Sequence, residues 1–184
     1  KKSRSGLRNQ VQFDLRNLSE WKLNDQRNRS TSPVLISLGS NITPKVNIKK
    51  ASALLSEKVA GIRFSSIWES PAVGSSGPNY LNSAALMYSA LSLEEIKSSL
   101  IAPIENQLGR VRTADKYIDR TIDIDVLIYN DQVVDPEVWT QAHLAIPASE
   151  LIPDFKNNET GGTLLEIAQA LGKEVEIHKR NDIE

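Results

Sequence analysis

The run from Ile122 to Tyr129, Ile-Asp-Ile-Asp-Val-Leu-Ile-Tyr, constrains this chain more than any other stretch. Ile122, Ile124, Val126 and Ile128 share one parity, and Asp123 and Asp125 share the other. β-Branched residues at period two predict a strand with one buried face. Residues i and i+2 of a strand point the same way, roughly 6–7 Å apart. The two carboxylates therefore stand side by side, and they repel unless a cation lies between them. The residues just before the strand supply Arg110, Arg112, Lys116 and Arg120. A carboxylate pair suited to hard metals, beside an arginine-rich loop, is what chemistry on a polyphosphate needs.

Composition narrows the setting of that stretch. With 184 residues, 40% hydrophobic and 24% charged, the chain can build one globular domain with a real core. The absence of cysteine excludes a disulfide framework, a thiolate zinc site and a cysteine nucleophile. It agrees with a cytoplasmic location. No apolar run reaches the roughly 18 residues of a membrane span, and no signal-peptide pattern is present, so no membrane partner is expected. Residues 1–33 hold eight Lys or Arg and three acids, a balance of +5 in a chain of net charge −1. They read as a basic N-terminal arm and linker before a domain over residues 34–184. The arm lacks the density of basic and aromatic residues found in nucleic-acid tails, so no nucleic acid is expected either. His143 and His178 are the only histidines, too few and too distant for a catalytic triad or a histidine metal site.

The order of elements predicts the fold. A strand over Val34–Leu38 leads to the turn Gly39-Ser40-Asn41. Thr43 is placed to cap a helix that opens with Pro44, with Ala51, Leu54, Leu55 and Val59 as its apolar stripe. Arg63–Glu69 and Tyr80–Leu86 read as strands around a Pro/Gly/Ser-rich loop. Ser92 and Glu95 form a capping box for a helix striped by Leu93, Ile96, Leu100, Ile104 and Leu108. Pro103 should kink that helix, and Gly109 should stop it. After the Asp-x-Asp strand, Asn130-Asp131 turns into a hairpin with Val133-Val134. Residues 135–146 read as irregular, Pro147–Leu151 as a helical turn, Leu164–Leu171 as a helix and Val175–His178 as an edge strand. The pattern β-α-β-β-α-β predicts an α+β, ferredoxin-like split βαβ fold: an antiparallel sheet with helices packed on it. Tyr80 and Asn82, at i and i+2, share a strand face. They offer a stacking ring and an amide that donates and accepts at once, a match for a planar heterocycle with lactam and amino groups. A core tyrosine and a turn asparagine would give the same pattern.

Five segments carry a resemblance: Ile-Ser-Leu-Gly-Ser-Asn (36–41), Ser-Pro-Ala-Val (70–73), Tyr-Leu-Asn-Ser-Ala (80–84), Leu-Gly-Arg-Val-Arg (108–112) and Arg-Thr-Ile-Asp-Ile-Asp-Val-Leu-Ile-Tyr (120–129). Pro147 and Glu150-Leu151-Ile152-Pro153-Asp154 extend it. Together they resemble the 6-hydroxymethyl-7,8-dihydropterin pyrophosphokinases of folate biosynthesis. The resemblance implies transfer of pyrophosphate from ATP to the pterin's hydroxymethyl oxygen, releasing AMP. It implies two Mg²⁺ held by Asp123 and Asp125. Arg110, Arg112, Arg120 and Tyr117 would be catalytic. Ser70, Val73, Tyr80, Asn82, Glu105 and His143 would serve the pterin, with His143 in place of a family aromatic. Arg110, Arg112, Arg120, Val126 and Thr140 would serve ATP. Residues 135–146 depart from the family pattern, lacking its Pro-His and its Arg. The arm has no counterpart, and association with or fusion to another folate-pathway domain is one reading of it. Another two-metal nucleotidyltransferase, or a non-catalytic pterin- or nucleotide-binding relative, stays open as an alternative.

Overall fold

The computed structural model describes residues 31–73, 77–111 and 118–183. Among these, seven strands form one sheet: β1 (Ser32–Ser40), β2 (Arg63–Phe64), β3 (Trp68–Ser70), β4 (Tyr80–Ser89), β5 (Asp123–Tyr129), β6 (Gln132–Val133) and β7 (His178–Lys179). Their order is β6-β5-β1-β4-β3-β7, with β2 also on β4. Every pairing is antiparallel. Helix α1 (Pro44–Lys58) and helix α2 (93–107) each link two strands that flank a third, which is the split βαβ arrangement. The expected α+β class and antiparallel sheet are borne out.

Alternation along β1 divides the core into two layers. Val34, Ile36 and Leu38 face α1 and α2, joining Ile48, Ala51, Leu55, Ile96 and Ile104. Leu35 faces the other way, with Ala84, Leu86 and the residues of α3 (Ala142–Ser149) and α4 (Leu164–Leu171). Trp139 stacks on Phe155 at 5.8 Å at the rim of this second layer. Residues 135–146 are not irregular. Asp135 caps a 3₁₀ turn over Pro136–Trp139 by accepting from Glu137 N at 2.9 Å, and α3 follows. Asp-Pro is a capping residue followed by a first-turn proline, a start signal in its own right.

Two local expectations are corrected, and the expected disturbance at Pro103 takes a specific form. Ile128 does not share a face with Ile122, Ile124 and Val126. Leu35 pairs with Ile128 and Ile36 with Val126, so Leu127 is an extra, bulged residue. The bulge resets the parity and sends Ile128 into the second layer. Thr43 does not cap α1 with its side chain; it sits at φ 40° without a side-chain cap bond. Asn47 instead reaches back, donating to Ile42 O at 2.7 Å and Thr43 Oγ1 at 3.2 Å. Pro103 is absorbed by a π-helical stretch over Ile96–Ile101 inside α2. A wider turn accommodates a residue that lacks an N–H and crowds the preceding turn. The capping box at Ser92 and the stop at Gly109, φ 74°, are as expected. The last strand is only His178–Lys179, paired with β3.

Candidate active site

The second face of the sheet is not fully covered. Between β5, β1, β4 and the 3₁₀–α3 segment lies a cavity of about 170 Å³. Most of its strand lining comes from positions of one parity. Asp125 pairs with Ser37, Asp123 with Gly39, Gly39 with Asn82, and Tyr80 with Ser70. Each of these seven residues lines the cavity. Gly39 forms its floor: a Cβ there would lie 3.5 Å from Asn82 Oδ1 and 3.8 Å from the Tyr80 ring. Val73, Arg120, Asp135, Glu137, His143 and Leu144 add to the walls.

One end of the cavity brings an amide and two rings together. Asn82 is 4% exposed, and its Nδ2 donates to Ser70 Oγ at 2.9 Å. Burial pushes the Tyr80 hydroxyl up from its ordinary range, keeping the ring neutral. Burial also pushes the His143 imidazole down, against the pull of Asp135. A neutral imidazole presents a flat face with no charge to desolvate.

The other end is ionic. Arg110 Nη2 donates to Asp123 Oδ1 at 2.9 Å, and Arg120 Nη1 donates to Asp123 Oδ2 at 2.5 Å. Arg110 Nε is buried without a hydrogen-bond partner among the described residues, an unmet donor beside the cavity. Two guanidiniums on one carboxylate set fork-shaped donors at this end, of the kind that bind phosphate. Asp125, open to the cavity mouth, has its carboxyl pushed up to about 6. Burial among its neighbours is the largest cause, followed by repulsion from Asp123, Glu105 and Asp135; Arg120 opposes the rise. A carboxylate surrounded by acids invites a hard cation, and oxygen donors of this kind fit Mg²⁺. Among the described residues no three such side chains are placed to hold a metal alone. Ligand oxygens and water would complete a site that rests on two carboxylates, the usual mode for Mg²⁺ with phosphates.

The remaining expected residues fall elsewhere. Glu105 is 1% exposed in α2, and its Oε1 accepts from Ile124 N at 3.0 Å. It supports β5 from behind and does not line the cavity. Val126 is buried on the α1–α2 side, because period two groups it with Ile122 and Ile124. Thr140 is exposed, bonding Glu137 O at 3.4 Å. Arg112 and Tyr117 lie outside the described residues. Asp135 and Glu137 line the cavity without having been picked from the sequence; their Asp-Pro-Glu start signal was the available cue.

A cavity pairing a heterocycle pocket with an acid–arginine end frames the comparisons with known proteins. The family model of 7,8-dihydro-6-hydroxymethylpterin-pyrophosphokinase (HPPK) matches residues 35–153. The chain belongs to this family. It is 31% identical over 147 residues to the 2-amino-4-hydroxy-6-hydroxymethyldihydropteridine pyrophosphokinase of Synechocystis sp., covering 73% of this chain and 74% of that one. It is 34% identical to the mitochondrial folate synthesis bifunctional protein of Pisum sativum, covering 60% of this chain but 22% of that protein. The wild-type HPPK-DHPS of Plasmodium falciparum superposes with a TM-score of 0.60 at 11% identity, covering 81% of this chain and 43% of that one. That likeness speaks to the fold. The HPPK match takes in Ser70, Val73, Asn82, Arg110, Arg120 and the Asp123–Asp125 pair.

Proposed function

We propose that the cavity is the active site of a pyrophosphokinase and that its residues divide the work by its two ends. The reaction is the family's: pyrophosphoryl transfer from ATP to 6-hydroxymethyl-7,8-dihydropterin in folate biosynthesis. The hydroxymethyl oxygen attacks the β-phosphorus, the bond from that phosphorus to the α–β bridging oxygen breaks, AMP leaves with that oxygen, and the hydroxyl proton is released. The observation that carries the reading is the convergence of Arg110 and Arg120 on Asp123, which lines the same cavity as Tyr80 and Asn82.

Asn82, Ser70, Val73, Tyr80 and His143 hold the pterin. Asn82 offers an amide to its lactam edge, and Tyr80 and His143 offer flat faces. Asp123 and Asp125 would hold Mg²⁺, two ions in this reading, and the metal would supply positive charge to offset that on the phosphates and the departing AMP. Arg110 and Arg120 share Asp123 as their anchor and would turn their guanidiniums to phosphate oxygens once that carboxylate served a metal. No side chain in the cavity has to act as a strong base, because this transfer relies on positioning and charge. Arg112 and Tyr117 remain assigned to catalysis, and Val126 and Thr140 to ATP, by resemblance alone.

Residues 34–184 constitute the catalytic domain in this reading, and residues 1–33 a basic arm. Fused relatives such as the pea bifunctional protein support association with another folate-pathway domain. No helix among the described residues is long and apolar enough to cross a membrane, which is compatible with a cytoplasmic enzyme. AMP release from ATP, with and without the hydroxymethyl pterin, tests the function. AMP should appear only when both substrates and Mg²⁺ are present. Binding of either substrate with no AMP would reduce the chain to a non-catalytic relative. AMP without pterin would point to a nucleotidyltransferase.

A further inference from the structure

The turn after β1 holds Arg120 by its main chain. The Arg120 amide N–H donates to Asn41 Oδ1 at 2.7 Å. The Arg120 carbonyl accepts from Asn41 N and Ile42 N, both at 3.1 Å. Asn41 Nδ2 donates to Asp119 Oδ1 at 2.6 Å, and Ser40 Oγ donates to Thr121 O at 2.6 Å. Three consecutive residues, Asp119, Arg120 and Thr121, are thereby tied to residues 40–42. Asn41 is 5% exposed. The turn is itself braced by Asn47, through its bonds to Ile42 O and Thr43 Oγ1.

We propose that Asn41 is a positioning residue for pyrophosphoryl transfer, acting through Arg120. The inference rests on the role given to Arg120 above. An arginine side chain is long and rich in rotamers, so its reach is useful only from a fixed Cα. Asn41 contacts both polar groups flanking that Cα, accepting from the N–H with its side chain and donating to the C=O with its backbone. The grip fixes both the location and the orientation of the residue. The guanidinium then spans i to i+3, from Arg120 to Asp123, at the ionic end of the cavity. The Asn41 side chain must accept from Arg120 and donate to Asp119 at once. A primary amide does both, an aspartate only accepts, and an alanine does neither.

The test is a double-mutant cycle on turnover, with pterin affinity measured by calorimetry alongside. Wild type, Asn41→Ala, Arg120→Ala and the double variant are compared. Asn41→Ala should lower kcat about 10–100-fold, the scale of a small misplacement of a catalytic group. Pterin Kd should stay within about twofold, and the Asn41 change should add less than about threefold to the defect of Arg120→Ala. A purely structural asparagine gives independent losses that multiply in the double variant, and that result overturns the proposal. An unchanged kcat in Asn41→Ala also overturns it. Asn41→Asp combined with Asp119→Asn exchanges donor and acceptor, keeps the acceptor toward Arg120 and avoids two facing carboxylates, so its kcat should lie above that of Asn41→Ala; a kcat equal to or below it counts against the proposal, even where the alanine variant folds poorly. Wild-type AMP release is read first. Its absence refutes the function itself, whereas AMP release with multiplying losses refutes this inference alone.

Discussion

Asp123 meets two guanidiniums while Asp125, two residues on, meets mainly other acids. Removing either should be severe, for different reasons. Asp123→Ala frees Arg110 and Arg120 from their common anchor and takes away a metal ligand; Asp125→Ala takes away a ligand alone. Both should cut kcat by about 10³-fold or more, the upper range for loss of one preorganised electrostatic group. A drop of only a few-fold in steady-state AMP release would sink the metal role. Arg110→Ala should lower kcat more than it weakens binding of an ATP analogue, since its group is assigned to charge that develops in the transition state. Asp125 also sets a pH dependence. Its carboxyl titrates near 6 in the folded chain against an ordinary 3.8. Between these values the folded chain keeps a proton that the unfolded chain has lost, so ligand-free stability falls as pH rises through that window and is flat above it. Solvent at the cavity mouth damps the size of the effect but not its sign. Urea midpoints for wild type and Asp125→Asn should diverge as pH rises from about 4 to about 7, the variant gaining on wild type; parallel curves would refute this. At this scale the sequence was readable wherever period two governed: the Asp pair, and Tyr80 with Asn82, share a face because alternate residues must. Asp135, Glu137 and the Asn41 grip were not readable, because they depend on which distant segments the fold brings together.

Elements set what those residues can do, and two irregularities matter most. The bulge at Leu127 gives its carbonyl to Val134 N at 2.8 Å and Asp135 N at 3.2 Å. A break in strand pairing thus aims Asp135 at the cavity, one of the common uses of a bulge. Strict alternation in the sequence hid it, since nothing in Val-Leu-Ile marks which residue is extra. The π-helical stretch before Pro103 is the second. The sequence showed that Pro103 must disturb α2, but not whether by a bend or by a wider turn. The outcome leaves Glu105 buried with its carboxylate on Ile124 N. Glu105→Ala should strand that N–H and destabilise the fold by about 1–3 kcal/mol, read by chemical denaturation. Glu105→Gln keeps the acceptor and should retain most of the stability. Equal losses in the two variants would show that charge, not the hydrogen bond, holds β5. Gly39 gives a complementary case. An alanine Cβ fits at ordinary contact distances, but a valine's added methyls enter the cavity floor. Gly39→Val should lose pterin binding in calorimetry with little change in melting temperature.

The whole molecule joins two binding ends through one sheet, and that sets how ligands should stabilise it. The contacts proposed for the pterin fall on β3, β4 and α3; those proposed for phosphate and metal fall on β5, on Arg120 before it and on Arg110 beyond the end of α2. Strand β1 lies between β4 and β5 and carries Gly39 and Ser37 at the boundary. The edge beyond β3 is tied by Arg180, which bonds both Glu69 and Asp182. Each ligand binds only the folded chain and should raise its melting temperature by mass action, about 2.7 kcal/mol at a hundredfold excess over Kd. For a domain of this size that is a shift of roughly 5–10 °C. Because the ends are separate, the shifts should separate by variant. Asn82→Ala should lose the pterin shift and keep that of a non-hydrolysable ATP analogue with Mg²⁺. Asp123→Ala should lose the nucleotide shift and keep the pterin shift. If either substitution erased both shifts equally while leaving the unliganded melting temperature unchanged, the two ends would be one cooperative site, and the division of labour argued from the strand registers would be wrong.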